Sequence, residues 1–107
     1  MKYHVLLVEA AERDLLDLHW YVELHDSPER ADRLLERIEQ SIATLDQLPE
    51  RGHFPPELAR IGIHDYREIH YKPYRIIYEV SGTSVFVHAI VDGRRDLREL
   101  LQARMLR

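Results

Sequence analysis

Cysteine is absent from the 107-residue chain, and lysine is nearly so, with Lys2 and Lys72 alone. Without a thiol there is no disulfide framework, no thiolate metal ligand and no cysteine nucleophile, a pattern expected of a reducing cytoplasm. Long apolar runs are missing too. No stretch approaches the roughly 20 apolar residues of a membrane span, and the N-terminal "MKYHVLLVEAAERD" meets charged residues too soon to act as a signal peptide. A cytoplasmic protein with no membrane partner is expected. The four glycines form no phosphate-cradling loop, and neither a Gly-x-Ser-x-Gly elbow nor an HExxH pair occurs. With no two histidines three or four apart on a predicted helix, neither a metal nor a cofactor is expected.

What is present suits one α+β domain over residues 1–107, since 45% hydrophobic residues in a chain of this length can enclose a single core. The net charge of −4 conceals an asymmetry. Residues 1–65 carry 7 basic against 14 acidic side chains, whereas residues 66–107 carry 8 against 5. Nearly all the positive charge is guanidinium, the group suited to two-pronged contacts with carboxylate or phosphate.

The run from Tyr3 to Val8 reads as a strand. From Ala10 to His25, the apolar residues Ala11, Leu15, Leu18 and Val22 fall on one face of a helix. "DSPE" starts a second helix, with Ser27 as its cap and Pro28 in its first turn, and Ala31, Leu35, Ile38, Ile42 and Leu45 carry its stripe to about Leu48. So short a link predicts an antiparallel helical hairpin. "LPERGHFPPELARIGIHD" is expected to be irregular because of its prolines and glycines. "YREIHY", "YRIIYEV" and "SVFVHAIV" read as an antiparallel meander, and "DGRRDLRELLQARMLR" as a final helix with Asp96 as cap and Glu99 completing a capping box. The order β-α-α-β-β-β-α predicts a helical hairpin on one face of a small, mostly antiparallel sheet, with a C-terminal helix.

Strand alternation predicts that Ile76, Tyr78 and Val80 share the core face with Val85, Val87 and Ala89. Arg75, Ile77, Glu79, Phe86, His88 and Ile90 then line the other face, where an arginine and a histidine together could serve phosphodiester chemistry. Each has a plainer reading. Arg75 could be an exposed residue paired with Glu68 or Glu79, and His88 a satisfied histidine at the core's edge.

In this order, "AERDLLDLHWYV", "DSPERADRLLERIEQSIATLDQLPERG", "YREIHYKPYRIIYEV" and "VHAIVDGRRDL" give the chain a resemblance to the ParE/RelE superfamily of bacterial toxins from type II toxin–antitoxin modules, also called plasmid stabilisation proteins. The resemblance covers nearly the whole chain and implies two mechanisms on one fold. The RelE-like branch cuts messenger RNA on the ribosome. For that branch Arg75 matches the sheet arginine, Arg95 falls near a second arginine, and Arg67 stands where a lysine is usual. The usual aromatic or histidine after the last strand is absent, with Leu100 or Leu101 in its place, so His70 or His88 would have to move the proton. If the chain is a ribonuclease, Arg67, Arg75, His88 and Arg95 are its candidate catalytic residues.

The ParE-like branch inhibits growth by poisoning DNA gyrase and needs no catalytic residues of its own, so this reading makes the chain an inhibitor and not an enzyme. The long second helix, the Pro-rich loop and "DGRRD" match this branch better, and Arg94, Arg95 and Arg98 are its candidate target-binding residues. The alternative for Arg95 is an ion pair with Asp92 or Asp96 that fixes the turn into the last helix. The resemblance also implies a toxin–antitoxin hetero-oligomer, in which a cognate antitoxin, ParD-like or other, wraps the toxin as it folds. Trp20, Tyr21, Leu24, Phe54 and Leu58 are candidates for that contact, although Trp20 and Tyr21 could instead be core. A non-toxic relative that only binds an antitoxin is the further alternative.

Overall fold

The computed structural model of the protein describes residues 2–106. Strand β1 (His4–Leu7) leads into helix α1 (Glu9–His25) and helix α2 (Pro28–Ala43), followed by two 3-10 turns at Thr44–Asp46 and Pro49–Arg51 and a short helix α3 (Pro56–Ala59). Strands β2 (Arg67–Tyr71), β3 (Tyr74–Ser81) and β4 (Ser84–Asp92) form the meander, and α4 (Arg98–Met105) ends the fold. The sheet order is β1-β4-β3-β2, with β1 parallel to β4 and the other pairs antiparallel. No described helix is long and apolar enough to cross a membrane.

The helical hairpin forms as its sequence dictates. Ser27 accepts a hydrogen bond from the Arg30 amide at 3.1 Å, Pro28 occupies the first turn of α2, and Ala11, Leu15, Ala31, Ile38 and Ile42 turn inward. These helices cover one face of the sheet, against Ile76, Tyr78, Val85, Val87 and Ile90. The other face is not the amphipathic strip expected. Ile77, Ala89 and Val91 are buried there under Leu58 of α3 and Leu97, Leu101 and Met105 from the C-terminal segment, so the sheet has a core on each side.

Ala89 therefore sits opposite to its expected position, and a bulge is the reason. Tyr78 pairs with Val87 but Ile77 pairs with Ala89, which leaves His88 as the extra residue and reverses the facing of everything after it. The final helix also departs from expectation at its start. Asp96 does accept from the Arg98 amide at 3.2 Å, but the helix begins two residues beyond it, with Leu97 at the cap position.

The long loop is held to the first face by two side chains. The Tyr78 hydroxyl donates to the Pro49 carbonyl at 2.5 Å and accepts from the Gly52 amide at 3.2 Å. Arg67 donates to the Glu50 and Gly52 carbonyls at 3.0 and 2.9 Å. Gly52 is required here because a Cβ would collide with the Tyr78 hydroxyl and the Glu68 carbonyl. Pro56, read as a helix breaker, instead fills the first turn of α3, where its missing N–H costs nothing.

The second core makes a direct prediction. Leu101 is completely enclosed, so Leu101→Ala should cost about 2–5 kcal/mol of unfolding free energy in a denaturant titration. A cost below about 0.5 kcal/mol, the range of surface substitutions, would mean that α4 contributes no core.

Candidate functional site

The second face is organised around one guanidinium. Arg75 on β3 donates Nη1 and Nη2 to Glu57 at 2.7 and 2.8 Å, and Nε and Nη2 to Glu68 at 2.6 and 3.0 Å. Two carboxylates thus grip one planar cation, each through two hydrogen bonds. The side chains of Arg75, Glu57 and Glu68 are 12%, 15% and 1% exposed. Local structure sets this up: Glu57 lies in the first turn of α3, and Glu68 lies diagonally from Arg75 across the β2–β3 ladder. The hydrogen bonds from Arg75 hold the Glu57 carboxyl below the usual carboxylate value against the opposing effect of burial, and the Glu57 contact raises Arg75 further above its own. The expected Arg75–Glu68 pair is present, but Arg75 is not an exposed residue, and Glu57 was not foreseen.

Around the same carboxylate lies a group that sequence spacing did not anticipate. His70 Nε2 is 3.1 Å from one Glu68 oxygen, and His53 Nε2 is 3.4 Å from the other. His53 comes from the loop, where helical spacing rules have nothing to read.

His88 lies elsewhere on this face. Its Nε2 is 3.0 Å from Glu79 and its ring meets Tyr66 edge-on at 5.3 Å. Burial, reinforced by Glu79 and Asp65, raises the Tyr66 hydroxyl pKa and keeps it a proton donor. Arg104 donates to the His88 carbonyl at 2.7 Å and to Asp14 at 2.9 and 3.1 Å, while Asp14 also accepts from the Ile90 amide at 2.9 Å. Burial outweighs these bonds and raises the Asp14 pKa. Arg13, Tyr66, His88 and Arg104 share a cleft of about 670 Å³.

Arg67, Arg75 and His88 thus fail to converge. Arg67 carries loop carbonyls and sits 4.7 Å over the Phe54 ring, Arg75 is clamped by Glu57 and Glu68, and Ile77 and Ala89 lie between Arg75 and His88 along the sheet. At the turn into α4, Arg94 pairs with Asp92 at 2.7 Å and Arg98 with Asp96 at 2.8 Å. The Arg98 contact draws the Asp96 carboxyl down to about 2. Arg95 is exposed and makes no ion pair among the described residues, so the pairing anticipated for it belongs to its neighbours. Arg95 also borders a smaller cleft of about 250 Å³ with Tyr74, Asp92 and Leu100.

Trp20, Tyr21 and Leu24 stand on the outer face of α1, 64%, 61% and 69% exposed, with Leu16 beside them at 67%. That excludes a core role for Trp20 and Tyr21. Phe54 is partly exposed, under Arg67 and edge-on to His64 at 5.0 Å. Leu58 is fully buried between α3 and α4, so it has no surface to offer a partner.

The sequence matches the family described as ParE toxin of type II toxin–antitoxin system, parDE, over residues 5–97. No curated protein sequence matches it. Among solved structures, the fold is similar to a chain of the chromosomal ParDE toxin–antitoxin system from P. aeruginosa, with TM-score 0.72, 17% identity, and coverage of 85% of this chain and 96% of that one. A chain of the RelBE2 toxin–antitoxin complex from Mycobacterium tuberculosis gives TM-score 0.64 and 20% identity, covering 86% of this chain and 92% of that one. A doubly substituted E. coli toxin RelE in the free state gives TM-score 0.66 and 16% identity over 100% of both.

The ion-pair network supplies the test of this geometry. Arg75→Met takes the guanidinium from the enclosed Glu68, leaves it with His70 and His53 alone, and should cost about 3–5 kcal/mol in denaturant melting, part of which Arg75→Met combined with Glu68→Met should restore. The pH dependence has a defined sign. Because the folded Glu57 pKa lies below its ordinary 4.5, its contribution is complete above 4.5 and is lost as pH falls through the folded value. Arg75→Met should therefore flatten that acid slope; an unchanged slope would mean that Arg75 is not what holds Glu57 charged.

Proposed function

The chain belongs to the ParE toxin family of type II toxin–antitoxin systems, and on that premise we propose that it arrests bacterial growth by binding DNA gyrase and stabilising its cleaved DNA complex. The observation that carries this reading is the engagement of the sheet arginines. A ribonuclease of the RelE kind needs free cations around the scissile phosphate. Here Arg67 is bound to loop carbonyls and Arg75 is held between two carboxylates. An inhibitor that works by binding alone requires no such constellation.

Within this reading, target contact concentrates on Arg95. Arg94 and Arg98 each have an aspartate two residues earlier that already neutralises them, whereas Arg95 has an open guanidinium beside a shallow cleft. Antitoxin binding falls to the outer face of α1. Leu16, Trp20 and Leu24 recur every fourth residue with Tyr21 beside them, and the groove at Leu16 and Trp20 is rimmed by Glu9, Glu12, Asp17 and Glu23 against Arg13 and His19, a mainly acidic border that fits an amphipathic helix with basic edges. Phe54 lies on the loop and is the weaker candidate.

One observation favours a second reading. His88, Tyr66, Arg13 and Arg104 share a cleft of about 670 Å³, and a histidine beside a tyrosine is a proton-handling pair the ribonuclease reading otherwise lacks. Ribosome-dependent cleavage of messenger RNA would then centre there.

Purified protein with gyrase and supercoiled plasmid should accumulate linear DNA after denaturation, and Arg95→Ala should lower the yield about tenfold, equivalent to about 1.4 kcal/mol of target binding. No linear DNA with the unsubstituted protein, together with new message 5′ ends lost in His88→Ala, would replace the gyrase reading with the ribonuclease one; no growth arrest at all would leave the antitoxin-binding relative. Separately, Trp20→Ser should weaken binding of the cognate antitoxin by 2 kcal/mol or more, roughly 30-fold, without lowering the melting temperature. An unchanged affinity would move the antitoxin off α1.

A further inference from the structure

We propose that His53, Glu68 and His70 form a binding site for a divalent transition-metal ion of the zinc type. The three donor atoms lie within 4.8 Å of one another and come from two segments that the backbone holds in register. Glu68 and His70 are two apart on β2 and so share a face, and His53 is bridged to Glu68, whose amide donates to the His53 carbonyl at 2.8 Å.

The distances suit a metal. At metal–ligand bonds of about 2.0–2.2 Å, tetrahedral geometry needs donor separations of about 3.3 Å. His70 Nε2 is 3.1 Å from one Glu68 oxygen and His53 Nε2 is 3.4 Å from the other, and with one oxygen taken as ligand the three donor atoms lie within 4.8 Å of one another. The two rings must draw toward each other and toward one shared Glu68 oxygen, and both stand at the solvent edge, 38% and 60% exposed, where rotation about their side-chain bonds is cheap. Each ring would carry its proton on Nδ1 and present Nε2 to the ion, and the fourth position would remain open to water.

The surroundings are those of a prepared ligand. Arg75 donates Nε and Nη2 to the two Glu68 oxygens, which orients the carboxylate, and each oxygen also has a histidine Nε2 beside it, at 3.1 and 3.4 Å. Charge balance is favourable as well. Arg75 would repel a cation by itself, but Glu57 is bound to it through two hydrogen bonds, so Glu57, Arg75 and Glu68 together carry −1. Two imidazoles and one carboxylate favour zinc and its neighbours in the first row over magnesium or calcium. An ion there ties the loop at His53 to the β2 edge and should raise the melting temperature.

The test uses the chain without an oligohistidine tag, stripped of metal, titrated with Zn²⁺ by calorimetry and with Co²⁺ by visible absorption. One ion per chain is expected, with the absorption of four-coordinate Co²⁺ and a melting temperature that rises on addition. His53→Ala and His70→Ala should each weaken binding by at least about tenfold, while His19→Ala binds like the unsubstituted chain. Both ligand positions are exposed, so these variants should keep the circular dichroism of the parent; His53→Gln and His70→Gln provide the same comparison with less loss of side chain. Absence of binding, or equal affinity in all the ligand variants, would overturn the proposal.

Discussion

The clamp of Glu57 and Glu68 on Arg75 is the constraint on which the second face depends. It joins three segments that are distant in sequence: α3 through Glu57, β2 through Glu68 and β3 through Arg75. Because Glu68 is enclosed, its charge is compensated chiefly by the guanidinium, which gives it two of its hydrogen bonds. Once α3 is fixed, Leu58 can pack beside Leu97, Leu101 and Met105, and the C-terminal helix gains a surface to rest on. Tyr78 and Arg67 perform the matching task on the first face, where they take up the carbonyls of Pro49, Glu50 and Gly52. The long loop is therefore held from both sides of the sheet.

Much of this architecture was legible because it is local. The α1 and α2 stripes, the Ser27–Pro28 restart and the three meander strands all follow from spacing and turn chemistry within a few residues, and the observed bounds agree closely with them except at the end of α2, which stops at Ala43 and passes into a 3-10 turn at Thr44–Asp46 where the stripe runs on to about Leu48. The second core was not legible, because it depends on register. A single extra residue at His88 moves Ala89 and Val91 to the other face, and no local pattern in "SVFVHAIV" announces it. Trp20 and Tyr21 are a different case. Both lie off the stripe of Ala11, Leu15, Leu18 and Val22, so helical geometry already pointed them outward, and only their size suggested burial.

The site was less legible than the fold, since it is assembled from long-range partners. Arg75 was identified as a key residue, and Glu68 as a partner, but Glu57 and His53 come from a loop that reads only as proline-rich. The same assembly shapes the functional account. A sheet arginine that looks available for phosphate chemistry in one dimension is held by two carboxylates in three, and the arginines after the last strand differ by their immediate neighbours, with Asp92 and Asp96 occupying Arg94 and Arg98 and leaving Arg95 open. Neighbouring side chains can change what an arginine is free to do in this way without altering the fold.

The most direct measurement is to express the protein alone in bacteria and follow thymidine and methionine incorporation through the first minutes after induction. An inhibitor of gyrase predicts that DNA synthesis falls while protein synthesis continues. Protein synthesis failing first would contradict the account and direct attention to the cleft of His88 and Tyr66.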